Sequence, residues 1–381
     1  MRRFALKARR LFDGEAFHDH AAVIIEGGRI EEIVPSGRLD HGIPVNDLKG
    51  GMLAPGFIDA QVNGGGGVLI NETPTADAVR RMAEAFRTYG TTSMLPTVIT
   101  DKTEIIRQAA DAVALARRQG VPGIIGIHIE GPFLDPRRAG AHPPQYIRAI
   151  TAEDVAWLKS LDCGIVLLTV APSHVAPEII RTLTEAGIIV SLGHSEATAE
   201  EAQAALAAGA RGFTHLYNAM SQLQNREPGM VGAALGQSSS YCGIIADGHH
   251  VHPLVLQVTL KVKPIGSLFL VTDAMPPAAG GPPRFALQGR AVVARNGRLE
   301  LNEGTLAGSI LTMDEAVRFC VAGLGLDLAE ALRMASLYPA QFLKVDRDLG
   351  RIVQGYRANL VHLTDRIAVT GTWIDGEPSP S

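Results

Sequence analysis

What this chain lacks narrows the field before any motif is considered. It has only three cysteines, Cys163, Cys242 and Cys320, odd in number and far apart, two of them inside apolar runs. A disulfide framework is excluded, and buried thiols in a reducing compartment are expected. The formal net charge is −4 and the sequence pI about 6.3, so there is no basic surplus for nucleic acid or an anionic membrane. No run approaches the roughly eighteen apolar residues of a membrane span. The start MRRFALKARR is basic, but no apolar stretch of about seven residues follows, which argues against a signal peptide. Cytoplasm is the expected compartment. Low-complexity segments and internal repeats are absent, apart from one alternation.

That alternation is of short strand-like runs with amphipathic helix-like segments. Eight runs can be counted: MLAPGFIDAQV to Val62, TTSMLPTVI to Ile99, GIIGIHIE to Glu130, GIVLLTVAP to Pro172, GIIVSLGH to His194, GFTHLY to Tyr217, CGIIAD to Asp247 and LFLVTDA to Ala274. Between them lie segments such as TADAVRRMAEAFRTYG and SEATAEEAQAALAAGA, with helical spacing of apolar residues and a capping Gly. An α/β chain with eight such repeats predicts a parallel sheet closed as a (β/α)₈ TIM-type barrel. With 381 residues, 46% of them hydrophobic, the chain is large enough for that barrel and a small second domain.

The two ends read differently. FALKARRLFDG…AAVIIEGGRIEEIVPSG alternates polar and apolar residues and turns at Gly27-Gly28; LGRIVQGYRANLVHLTDRIAVTGTWIDGE has the same texture, with turns expected at Gly355 and Gly371. Together they predict a small β-sandwich domain built from 1–53 and 346–381, with the barrel over 54–345. AVVARNGRLEL carries Asn296-Gly297, a strong hairpin signal, and falls after the eighth run, so it is expected as an excursion on the barrel's top face.

Four polar residues stand where apolar runs give way to loops: Glu130, His194, His215 and Asp273. In a barrel of this kind that end is the catalytic face. A lone His near a strand end is ordinarily a satisfied polar residue, but one carboxylate with two imidazoles on three strands is a frequent catalytic metal set with room for water. Asp273, on the last run, is suited to take a proton from that water. His128 shares a face with Glu130 and is read either as a further ligand or as support inside the barrel. At the end of the first run stands Gln61-Val62-Asn63 rather than His-x-His; neutral amides are poor ligands, so one ion is expected rather than two. Gly64-Gly65-Gly66-Gly67 lacks the Gly-Lys-Ser/Thr of a phosphate cradle and reads as a tight turn at the pocket mouth.

PGFIDAQVNGGGG, HIEGPFL, GHSEAT, THLYNAM, REPGMVG, ADGHHVHP, TDAM and LAGS, in that order, make the chain resemble the N-acetylglucosamine-6-phosphate deacetylase family of the amidohydrolase superfamily. The resemblance runs from about Leu53 to the final strands; PGFID and TDA identify only the superfamily, whereas HIEGPFL, THLYNAM and ADGHHVHP are more specific. It implies one divalent ion per subunit, Zn²⁺ or Fe²⁺, held by Glu130, His194 and His215. Asp273 would be general base and then general acid, while His142 polarises the acetamide carbonyl. Ala141, His142, Asn218, Ala219, Arg226, His250, Leu306, Ala307 and Gly308 would bind the amino-sugar phosphate. His249 adjoins His250, and the spacing favours His250. The family is dimeric with phosphate contacts across the interface, which makes Arg226 and His250 candidates for serving the neighbouring subunit; otherwise Arg226 is an exposed partner of Glu227. The expected reaction is hydrolysis of the acetamide to glucosamine 6-phosphate and acetate. The epimeric N-acetylgalactosamine 6-phosphate is the rival substrate, and an inactive binding barrel is the rival class.

Overall fold

The computed structural model describes residues 3–295, 297–301 and 306–379. Eight parallel strands lie side by side in chain order: β1 (Phe57–Val62), β2 (Thr91–Ile99), β3 (Gly126–Glu130), β4 (Ile165–Val170), β5 (Ile189–Leu192), β6 (Gly212–Phe213), β7 (Tyr241–Ile244) and β8 (Leu268–Leu270). The ring closes where Val62 bridges Ala274 and the Asp273 N–H donates to the Gln61 carbonyl at 2.9 Å. Every residue of β1, β2 and β3 is buried, as expected for parallel strands covered on both faces.

The intervening helices form for local reasons that the sequence carries. The helix Ala76–Arg87 buries Ala78, Val79, Met82, Ala83 and Phe86 along one stripe, and the Thr75 side chain accepts from the Ala78 N–H at its start. Thr198 and Glu201 close a capping box on Ala199–Ala207. Among the described residues no helix is long and apolar enough to cross a membrane.

Strands β4 to β8 stop short of the ends expected from their apolar runs. In the runs of β5, β6 and β8, His194, His215, Tyr217 and Asp273 take φ of 46°, 31°, 78° and 50°, which breaks the pleat at or before the end of the run. The barrel therefore presents these residues just beyond the strand ends.

Both chain ends build one eight-stranded sheet, in the order Glu377–Pro378, Val369–Ile374, Leu360–Leu363, Met52–Pro55, Arg3–Phe12, Phe17–Glu26 and Arg29–Pro35, with Val45–Asp47 also on Arg3–Phe12. It has a core of its own, including Leu6, Leu11, Val23, Leu53, Leu360 and Trp373. Gly27-Gly28 and Gly355 turn with positive φ as expected, but Gly371 does not: it lies within the strand Val369–Ile374. Its lack of a side chain serves a close approach, since a Cβ there would come within 3.0 Å of the Trp373 ring. The tetraglycine also forms its turn, a ladder of Gly64–Gly65 with Val68–Leu69, but away from the pocket lining. A Cβ on Gly65 would stand 2.2 Å from the Phe86 ring, so the run is small because it packs on a helix.

After β8 a three-stranded antiparallel sheet, Arg284–Leu287, Arg290–Arg295 and Arg298–Leu301, sits over the C-terminal end of the barrel. Arg295 pairs with Arg298 and Gly297 has φ 79°, as a hairpin there requires; Asn296 lies outside the described residues. Leu287, Val292, Leu299 and Leu301 anchor it on Leu69, Ile99 and Met275.

Candidate active site

At the C-terminal end of the barrel Glu130, His194, His215 and Asp273 converge on one cavity of about 370 Å³. Glu130 closes β3, while the imidazoles stand just past β5 and β6. Both His Nε2 atoms and Glu130 Oε1 form a triangle with sides of 2.9, 3.1 and 3.3 Å. Those edges suit a tetrahedral ion with ligand distances of about 2.0–2.1 Å. His194 also turns Nδ1 to the Arg138 carbonyl at 2.9 Å; donating there leaves its Nε2 lone pair for a ligand bond. Two imidazole nitrogens and a carboxylate oxygen, all buried and aimed at one point, form a donor set that a divalent ion fits.

Charge in the site follows from burial and neighbours. Burial alone would raise the Glu130 carboxyl, yet hydrogen bonds from His194 and His215 hold it well below the usual carboxylate range. Burial works against a charged His215, but the facing Glu130 outweighs it and raises that imidazole. Burial, reinforced by the Glu130 charge, pushes Asp273 up to about 6.

The amides of Gln61 and Asn63 turn their nitrogens to these acids. Gln61 Nε2 lies 3.2 Å from both Glu130 oxygens and 3.1 Å from Asp273 Oδ1, which also accepts from Asn63 Nδ2 at 2.6 Å. Where His-x-His would offer lone pairs, this chain offers donors. His128 sits deeper, its Nε2 2.8 Å from Thr169 Oγ1; burial lowers its pKa to about 4, and it stands outside the Glu130, His194 and His215 cluster.

His142 is buried beside His194, ring centroids 4.4 Å apart. Its Nδ1 accepts from the Thr100 backbone N–H at 3.3 Å and lies 2.8 Å from Thr100 Oγ1. Burial, then His194, keep its pKa well below the ordinary value, so the ring is neutral with its proton on Nε2, 4.0 Å from Glu130 Oε2. It is a fixed N–H donor facing the cavity.

Ala141, Asn218, Ala219, His250, Leu306 and Gly308 also line the cavity. His250 Nδ1 is 2.6 Å from Asp247 Oδ2, whereas His249 turns away and accepts from Arg298 Nε at 3.3 Å. Two residues of the expected set lie elsewhere. Ala307 is buried behind the lining with Met275 and Leu299, its N–H donating to the Leu299 carbonyl. Arg226 is exposed outside this cavity, and among the described residues it has no ion pair with Glu227. Arg137 and Arg138 line the cavity without having been singled out from the sequence. Arg137 is a bidentate partner of Asp135 at 3.0 and 2.6 Å; the only available signal was a basic pair soon after HIEGPFL.

The amidohydrolase family model matches residues 52–378, and the NagA composite domain model matches 3–53. An N-acetylgalactosamine-6-phosphate deacetylase of Shewanella sp. (strain ANA-3) is 48% identical over 87% of this chain and 84% of its own length. An N-acetylglucosamine-6-phosphate deacetylase of Haemophilus influenzae is 39% identical over 93% of this chain and 94% of its own. A crystal structure of N-acetylglucosamine-6-phosphate deacetylase from Pasteurella multocida superposes with TM-score 0.96 at 37% identity, covering 100% of both chains.

Proposed function

The chain belongs to the amidohydrolase family, and from that premise we propose that it hydrolyses the acetamide of N-acetyl-D-glucosamine 6-phosphate to glucosamine 6-phosphate and acetate. It is a hydrolytic enzyme acting on a linear amide. The observation that carries the substrate reading is the meeting, in one cavity, of the Glu130, His194 and His215 cluster with Asp273, the fixed N–H of His142 and the His250 end.

Members of this superfamily use a divalent metal, and the buried Glu130, His194 and His215 can hold one. When bound, that ion supplies Lewis acidity, acidifying a water and polarising the amide carbonyl. Asp273 then takes the water's proton. Pinned through Oδ1 by Asn63 and Gln61, it keeps Oδ2 for that task, and a carboxyl raised to about 6 returns the proton readily to the departing amine. His142 Nε2–H donates to the carbonyl oxygen as negative charge develops there. One ion per subunit, Zn²⁺ or Fe²⁺, is the proposed complement, because amide N–H groups occupy the position a second would need.

Asn218, Ala219 and His250 grip the sugar phosphate in this reading, with Ala141, Leu306, Ala307 and Gly308 shaping the sugar site. Arg226 serves the neighbouring copy of a homodimer. Two features support the dimer: Arg226 is free of its own cavity, and Leu254, Val258 and Val262 form an exposed apolar stripe on the helix Pro253–Val262, continued by Ile265, 84% exposed. The three buried free thiols suit a cytoplasmic setting. The division into an end domain of 1–53 and 346–381 and a barrel of 54–345 belongs to the same proposal.

The 48% identity to the Shewanella protein favours a second reading, hydrolysis of the galacto epimer. Acetate release from the two sugar phosphates, measured side by side with metal content, tests both. A higher kcat/KM for the galacto sugar would replace the first reading with the second. No release from either, with no bound metal, would point to a binding protein.

A further inference from the structure

Three segments assigned to the phosphate, Asn218-Ala219, Arg226 and His250, come from different places in the chain, yet all are moored to one helix, Pro253–Val262. His250 enters its N-terminal end, held by Asp247, which also accepts the His250 backbone N–H at 2.9 Å. At its middle, Thr259 spends its own hydroxyl proton on the Val255 carbonyl at 2.8 Å, so its oxygen accepts from the Tyr217 hydroxyl. Tyr217 directly precedes Asn218 and Ala219, and its φ of 78° is a conformation that a non-glycine residue holds only when something fixes it.

At the C-terminal end of that helix the Lys263 ammonium is buried and donates to the carbonyls of Ala234, Gln237 and Ser240 at 3.1, 2.7 and 2.8 Å. It thereby caps the C-terminus of Gly229–Gly236, the helix whose opposite end follows Arg226. Burial lowers the pKa of this lysine, so the three carbonyls must repay the cost of hiding its charge.

We infer that Tyr217, Thr259 and Lys263 are positioning residues for phosphate recognition, joining the Asn218-Ala219 loop, the Arg226 loop and His250 into one unit through the helix Pro253–Val262. The inference rests on the substrate reading above and deepens it. None of the three side chains lines the cavity, so they act on the phosphate grip and leave the chemistry alone.

The test is Thr259→Val, which keeps the shape and removes the acceptor, with Tyr217→Phe, which removes the donor. Losing one such hydrogen bond should raise KM for the phosphorylated sugar about three- to tenfold. We expect kcat and metal content to stay within about twofold of the parent, and KM for the unphosphorylated sugar to be unmoved. The double variant should be no worse than either single, because both remove the same bond. Lys263→Met should show the same KM-against-kcat split more strongly where it folds; the other two variants decide the matter where it does not. If the parent does not prefer the phosphorylated sugar, the phosphate reading and this inference both fall. If the parent prefers it and the variants leave KM unchanged, lower kcat alone, or add in the double, the phosphate reading stands and the mooring is overturned.

Discussion

Asp273 takes its character from what surrounds it: burial and Glu130 raise its carboxyl, while two amides fix one of its oxygens. Asp273→Asn keeps the shape but cannot accept a proton, so activity should fall by about 10²–10⁴-fold or more, with metal and substrate binding retained. Turnover within tenfold of the parent would remove the assigned role. Asp59, fully buried beneath it, gives a separate pH test. Burial pushes Asp59 up to about 7 while Thr272 Oγ1 donates to it at 2.5 Å. The unfolded acid loses its proton near pH 4 while the folded one keeps it, so its ionisation lowers stability as pH rises from about 4 to 7, by up to ~4 kcal/mol. Urea unfolding at pH 5 and pH 8 should therefore show a smaller loss for Asp59→Asn than for the parent; equal losses would count against it. Glu130, His194 and His215 were legible because each imidazole or acid interrupts an apolar run. The hydrogen-bonding direction of Gln61 and Asn63 was not, because it depends on which acids the closed ring brings opposite them, and Arg137 and Arg138 stand in a single 3₁₀ turn, Pro136–Arg138, too short to show periodicity.

Among the elements, the strand runs were legible and their ends were not. GFTHLY reads as a six-residue strand, but only Gly212–Phe213 keep strand geometry because His215 and Tyr217 turn to positive φ. Apolar character reports burial, and buried loop residues at the barrel rim carry the same signal as strand. The three proposed metal ligands belong to β3 and to the segments after β5 and β6, so an ion bound there would tie together parts that only a closed barrel juxtaposes. Removing it with a chelator should lower Tm, since a ligand at a thousandfold excess over its Kd contributes about 4 kcal/mol. His215→Ala should lose the metal, the activity and the chelator-dependent shift together. A variant that still melts lower on chelation would mean that the ion sits elsewhere.

On the scale of the whole molecule, the exposed stripe of Leu254, Val258 and Val262 lies on the helix that carries Thr259, so in the proposed dimer association and phosphate recognition would share one element. Val258→Glu should weaken the dimer in sedimentation and raise KM for the phosphorylated sugar. Arg226→Ala should hurt that sugar far more than the plain one. A monomeric parent with full activity would overturn both expectations. The sheet made from the two chain ends has a further consequence, for synthesis. Met52–Pro55, all four residues buried in the folded protein, enters β1 almost at once, yet its neighbour Leu360–Leu363 is synthesised about three hundred residues later. Until that partner emerges, the apolar strand keeps an unpaired edge, the kind of surface that recruits chaperones or pairs wrongly with another nascent chain. Slow elongation should therefore endanger this protein more than a fold whose N-terminal strands complete their sheet without a distant C-terminal partner.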